Sequence, residues 1–441
     1  MRHSFRKFVG GSATAATLAA FLAIPAGSTA APGISNTQVS IGAIVTQSGG
    51  AAADFAPYLA GAQAYFHYIN DKYNGVFNRK LVITDALDDQ SNPTTNIADA
   101  RTLVTADHVF GIVGVSTGFF SGSQFLSTSG VPTFGYATQN VWKGPKNFFA
   151  DYGSVIDYAT STPDFGYVAK QVHATRVAVI ALNYPSSQDE CKPSVQTLKS
   201  TYGINVVYSN LYEPIFTPNF STDVTQMITK GVDMVISCMD YNNNIALSRA
   251  MNQQGMNPVP QVWLDGYDRN ILRNNAIYMN NVYVMIQHVP FEATTSYPGK
   301  FPGLSLYFTE MAKYGYANQQ YDDVALMGWE SANLFTEGLR SAGANPTQAA
   351  VISAINKLKS DFGGPVGYGV ATPVNWTLAH TANTPPSCIA FVKTVGIGGP
   401  SPSPAFKMAF NRGKDPWICF PLTGKANLAS PLLPPAGTPG L

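Results

Sequence analysis

Apolar and polar positions along the chain fall into two alternating periods. Short runs at Gln38–Val45, Arg79–Ala86, Val109–Val115 and Val131–Phe134 predict strands, and Val109–Val115 is apolar enough to be covered on both faces, as in a parallel sheet between helices. Between these runs the spacing lengthens to three and four. Leu59, Ala62, Phe66, Ile69 and Tyr73 make one stripe, which predicts a helix over about Ala56–Tyr73 closed by Asn74-Gly75. The turn Asp88-Asp89-Gln90-Ser91-Asn92-Pro93 is expected to cap a second helix reaching Thr105. After Asp151 the pattern restarts. Strands are predicted at Thr175–Leu182, Ile204–Ser209, Val232–Met239 and Pro260–Leu264, with helices near Ser186–Thr201, Phe220–Lys230 and Asn242–Gln254. A strand at Asn281–Val289 precedes helices at Lys300–Tyr314, Tyr321–Ser341 and Pro346–Ser360. Beyond Gly367 the chain turns β-like and Pro-rich, with candidate strands at Ser387–Thr394 and Ala405–Phe410, and past Thr423 it reads as a loose tail. Two similar strand–helix series in tandem predict an α/β fold of two doubly wound parallel-sheet lobes.

The stretch from Gly111 to Thr138 carries the first candidate chemistry. Ser116, Thr117 and Gly118 follow a strand, and are expected to place hydroxyls and uncovered N–H groups at the start of a helix, where an anion is favoured. The next strand brings Tyr136 and Thr138 to the same sheet edge, where ligands of such sheets gather. The same residues also fit two ordinary strand–helix turns.

At 441 residues the chain is too long for one core and fits two domains. Charged residues make up only 12%, about half the usual share, and Asn, Gln, Ser, Thr and Tyr take their place, a composition that suits a secreted protein. The N-terminus agrees. Arg2, His3, Arg6 and Lys7 precede the apolar run Ala13–Ala26 and the small-x-small site Ser28-Thr29-Ala30, which predicts a signal peptide over residues 1–30 cleaved near Ala30. The run is too short to span a bilayer, and no Cys at the cleavage site signals a lipid anchor. Without Arg2, Arg6 and Lys7 the 27 basic residues become 24, against 26 acidic, a formal charge of −2 that argues against nucleic acid or acidic membranes as partners.

Cys191, Cys238, Cys388 and Cys419 allow three pairings in an oxidising compartment. Neighbours in sequence are expected to pair, Cys191 with Cys238 and Cys388 with Cys419. Neither CxxC pairs nor a His cluster appear, so no metal site and no cofactor are expected. GxSxG, HExxH, P-loop and GxGxxG motifs are also missing, which reads against an enzyme.

An ordered set of short motifs resembles one family. It comprises Val39-Ser40-Ile41-Gly42 with Ser48-Gly49, Gly61-Ala62 with Tyr68-Ile69-Asn70, Asn74-Gly75-Val76 with Arg79-Lys80-Leu81, and Asp88-Asp89 with Pro93. Gly111-Ile112-Val113-Gly114, Gly130-Val131-Pro132 and Gly231-Val232-Asp233-Met234-Val235 follow. Over roughly Gln38–Gly367 the chain resembles the leucine/isoleucine/valine-binding branch of the bacterial substrate-binding proteins that serve ABC transporters, of periplasmic binding protein-like I fold. The end beyond Gly367 is longer and richer in Pro than in the amino-acid binders.

That resemblance implies two lobes joined by a three-segment hinge, one of residues 38–150 and 290–362, the other of 151–289 and 363–422, with a loose tail over 423–441. It implies that Ser116 or Thr117 meets a ligand carboxylate, with Tyr136 and Thr138 next to it, and that Asp265 of the other lobe meets an ammonium. Asp265 stands where the branched-chain binders carry Glu, a reach shorter by one methylene. Tyr184 and Tyr241 are implied to close over the ligand, with Phe55 as an aromatic wall. Asp240 is a rival to Asp265, which also fits a plain turn cap. The implied function is an extracytoplasmic, monomeric carrier that hands a small polar solute to an ABC permease. An amino acid or related zwitterion is the first choice of solute, with an aromatic acid or amide as the next. A ligand-presenting sensor is the alternative, and a secreted enzyme is the least favoured class.

Overall fold

In the computed structural model, described over residues 31–150, 163–215, 219–359, 370–371, 374–380, 387–398, 403–411 and 416–420, the apolar runs form two sheets. The expected signal peptide and the tail over 423–441 lie outside the described residues.

The chain begins with β1 (Gln38–Val45), the one-turn α1 (Ala52–Phe55), α2 (Pro57–Tyr73), β2 (Lys80–Asp88), α3 (Pro93–Thr105), β3 (Gly111–Ser116), α4 (Ser123–Ser129), β4 (Thr133–Gly135) and β5 (Phe148–Ala150). These five strands are parallel, in the order β2-β1-β3-β4-β5, so their carboxyl ends share one edge. Next come α5 (Pro163–Gln171), β6 (Arg176–Leu182), α6 (Pro185–Tyr202), β7 (Asn205–Glu213), α7 (Ser221–Thr229), β8 (Met234–Cys238), α8 (Tyr241–Gln253), β9 (Gln261–Trp263), α9 (Arg269–Asn275) and β10 (Val282–Ile286). They build a second parallel sheet in the order β10-β9-β8-β6-β7. After α10 (Ala293–Ser296), α11 (Pro302–Lys313), α12 (Asp323–Ala342) and α13 (Gln348–Ile355), the chain adds β11 (Ser387–Val395) and β12 (Ala405–Ala409) antiparallel to β10 and to each other. A last strand, β13 (Ile418–Phe420), pairs on β11.

Helix α12 returns to the first sheet and lies against α2 with backbone touching backbone. A Cβ on Gly61 would come 1.7 Å from the Ala325 carbonyl oxygen, and one on Gly328 would come 1.9 Å from that of Tyr58. Only glycine fits there. The closeness lets Trp329 meet Tyr65 edge-on at 4.9 Å, and sets Phe335 against Phe66, Phe110 and Phe134. Two crossings of the chain pair with each other where the Val289 N–H donates to the Val370 carbonyl at 2.7 Å and His288 bridges Ala371.

Both expected disulfides form: Cys191 of α6 joins Cys238 at the end of β8, and Cys388 of β11 joins Cys419 of β13. Other details differ from the sequence reading. Tyr73 is exposed, while Tyr58, Ala60, Gly61, Ala64, Tyr65 and Tyr68 join the buried face of α2, because that helix is covered by α12 as well as by the sheet. The cap of α3 is Asn92, which accepts from the N–H groups of Thr94 and Thr95, leaving Asp88 and Asp89 to other work. Helix α4 starts at Ser123, six residues past Thr117, so Ser116-Thr117-Gly118 do not open it. Among the described residues no helix is long and apolar enough to cross a membrane.

Candidate functional site

Parallel strands deliver their loops to one edge, and here the carboxyl-end loops of both sheets meet. On the first sheet, buried Asp89 ties three loops together. It accepts from the hydroxyls of Thr46 and Thr117, from the Ser91 N–H at 3.0 Å and from the Asn96 amide at 2.8 Å. Ser91 in turn takes the Gly118 N–H on its hydroxyl. On the second sheet Asn244 does the equivalent work, donating to the carbonyls of Met239 at 2.8 Å and Asp265 at 3.0 Å, which joins the loops after β8 and β9. Asp240 caps α8 through the N–H and side-chain amide of Asn243.

The two edges touch directly. The Ser186 hydroxyl donates to the Gly118 carbonyl at 2.8 Å, and accepts from Thr138. The Asn242 amide donates to the Gly50 carbonyl at 3.0 Å, the Tyr241 N–H to Asp54 Oδ1 at 2.6 Å, and the Tyr136 hydroxyl to Asp265 Oδ1 at 2.8 Å. Between the edges lies a hollow of about 240 Å³. Ala51, Ser91, Gly118 and Phe119 line it from the first sheet, and Tyr184, Ile215, Asp240 and Asn242 from the second. The rings of Phe119 and Tyr184 face each other across it at 5.6 Å.

Of the eight residues expected at the site, Tyr184 lines this hollow. The others are not part of its lining. Ser116 ends β3 fully buried, with its hydroxyl donating to the Phe55 carbonyl at 3.0 Å. Thr117 is held by Asp89, and its oxygen takes the Phe119 N–H. Phe55 packs its ring 6.1 Å from that of Tyr136, which reaches Asp265. Thr138 bonds Ser186. Tyr241 is fully buried, with its hydroxyl on Asp323 at 3.2 Å. Sequence reasoning missed Asp54, Ser91, Phe119, Ser186 and Asn242. A faint signal existed in Ser186-Ser187 after Pro185 and in the run Asn242-Asn243-Asn244, both at helix starts where small polar residues face a cleft.

The electrostatics are one-sided. Burial raises the carboxyl of Asp54 well above the usual range, and the charges of Asp240 and Asp265 add to it. Burial pushes Asp265 up to about 7, opposed by the Tyr136 hydroxyl and helped by Asp240. Asp323 is raised by burial and then by Asp265, Asp240 by burial alone among its main causes. Among the described residues no group of three or more His, Cys, Asp or Glu is placed to hold a metal ion.

A family model for the periplasmic binding protein matches residues 38–397. No curated protein matches the chain. Among solved structures, the branched-chain amino acid transporter substrate-binding protein LivJ from Streptococcus pneumoniae, in complex with isoleucine, is 19% identical with a TM-score of 0.66, covering 85% of this chain and 100% of its own. A fatty acid ABC transporter substrate-binding protein from Thermomonospora curvata is 15% identical with a TM-score of 0.69, over 94% and 99% of the two chains. An ABC transporter solute-binding protein from R. palustris, in complex with 4-hydroxybenzoate, is 16% identical with a TM-score of 0.67, over 84% and 96%. These neighbours share the two-lobed α/β fold.

Proposed function

The chain belongs to the periplasmic binding protein family, and from that premise we propose that it captures a small polar organic solute in the hollow between its two lobes and hands it to an ABC permease. Its family and fold neighbours are transporter solute-binding proteins, not enzymes, and the family works outside the cytoplasm. The observation that carries the reading is the meeting of two sets of strand-end loops around one hollow, with rings and hydroxyls on both walls. The lobes are residues 38–150 with 290–362 and residues 151–289 with 363–422, and they close about the chain crossings. Closure buries the solute and gives the shape the permease recognises. Amino-bearing solutes, amino acids first, fit the carboxyls of Asp54, Asp240 and Asp265 better than the fatty acid and hydroxybenzoate named for two of the neighbours. Asp265 and Tyr136 take the amino end after parting from each other, with Phe55 packed against Tyr136, while Ser116, Thr117, Thr138 and Tyr241 hold the loops in shape.

A thermal-shift screen of the mature protein against amino acids, diamines, aromatic acids and fatty acids tests this. A solute at a hundred times its dissociation constant adds about 2.7 kcal/mol of stability. No shift with any member of these classes would remove the carrier reading.

A further inference from the structure

Resting on the carrier reading, we infer that the solute bears a net positive charge and that Asp54 is the residue selecting for it. Asp54 sits on α1, one turn past Ala51 of the hollow's wall, and is fully buried. Its Oδ1 holds the N–H of Tyr241, the first residue of α8, directly after the wall residue Asp240. Its Oδ2 has no hydrogen-bond partner. A buried carboxylate oxygen without a donor is an expensive feature unless a cation or a proton comes to it.

The foremost ionisable groups facing it are acids. Asp240 from the start of α8 and Asp265 from the loop after β9 are its foremost charged neighbours, and Asp322 at the start of α12 is next. Asp265 acts on Asp323 in turn, and the Tyr241 and Tyr136 side chains bring hydroxyls to Asp323 and Asp265. Among the described residues no Lys, Arg or His forms an ion pair with Asp54, Asp240, Asp265 or Asp323, whereas pairs elsewhere join Arg269 to Glu292 and Lys313 to Glu310 and Asp71.

The opposite wall offers a solute carboxylate little. The hydroxyls of Ser116 and Thr117 already donate to the Phe55 carbonyl and to Asp89, whose carboxyl also takes the Ser91 N–H. A neutral amino acid would bring one ammonium to several carboxylates, together with a carboxylate of its own. A diamine, a guanidinium compound or a basic amino acid brings the missing charge. Its arrival displaces protons from these carboxyls, so its affinity rises with pH.

Isothermal titration of the full chain with 1,4-diaminobutane, L-arginine, L-leucine and 4-hydroxybenzoate, at pH 6 and pH 8, decides the matter. One of the two cationic probes should bind at least tenfold tighter than both others, and more tightly at pH 8 than at pH 6. Asp54→Asn should weaken it tenfold or more while melting cooperatively. Should Asp54→Asn not fold, Asp265→Asn is held to the same criterion. Equal or tighter binding of L-leucine or 4-hydroxybenzoate overturns the charge assignment and leaves the carrier reading standing, and so does unchanged affinity in the folded variant. Silence from all four probes overturns the charge assignment, and silence across the broader screen overturns both.

Discussion

At the scale of single residues, the burial of Asp265 governs how this carboxyl responds to pH. Asp265 is shifted from 3.8 to about 7, mainly by burial. Between those values the folded protein binds the proton that the unfolded chain has released, so this carboxyl's contribution to stability is greatest in acid and falls as pH rises toward 7. Asp265→Asn keeps an acceptor for the Tyr136 hydroxyl and removes the titration. Chemical denaturation of the solute-free protein should show the variant more stable than the parent at pH 8, with a shallower decline between pH 4 and pH 7. Parallel curves would mean that Asp265 does not titrate in that window. Asp265 was legible as a lone carboxylate after a strand in Trp263-Leu264-Asp265-Gly266. Asp54 was not, because nothing in Ala51-Ala52-Ala53-Asp54-Phe55 distinguishes a buried acid from an exposed one. Its burial depends on α8, which is almost two hundred residues away.

At the scale of elements, the join of α2 and α12 fixes the first sheet's loops. Gly61 and Gly328 each leave room for a carbonyl of the other helix, and no side-chain motion relieves a clash with backbone. Gly328→Ala should therefore destabilise the fold by about 2 kcal/mol or more, read as a lowered melting temperature with solute binding weakened by loop displacement. A variant as stable as the parent would show that the helices separate without penalty. The strands and long helices were readable because buried strands stand out as apolar runs and the long helices carry a stripe spaced by three and four. Short pieces such as α1, β5 and α9 have too few residues to show a period, and their place follows from the neighbours that cover them. The helix expected directly after Thr117 is deferred to Ser123, since Thr117 and Ser91 hold the intervening backbone. An anion-binding helix start was thus inferred from residue types alone, and the loop's own hydrogen bonds claim those hydroxyls.

At the scale of the whole molecule, a handful of direct bonds join the two edges. Ser186 to Gly118 and Asn242 to Gly50 are two of them. Removing both donors in Ser186→Ala/Asn242→Ala should loosen the solute-free protein, seen as a larger radius of gyration in small-angle X-ray scattering, which returns to the compact value when a cognate solute is added. An unchanged radius would place the hold on closure elsewhere, in Tyr241 and Asp54. Asp89 carries a further consequence. With every lone pair it can use already engaged by its own side, the first wall is a finished mould, set before any guest arrives. Accommodation then falls to the facing wall, and differences in guest size should register as rotations of Tyr184 and Asn242 while the Thr46–Asp89–Thr117 knot keeps its shape.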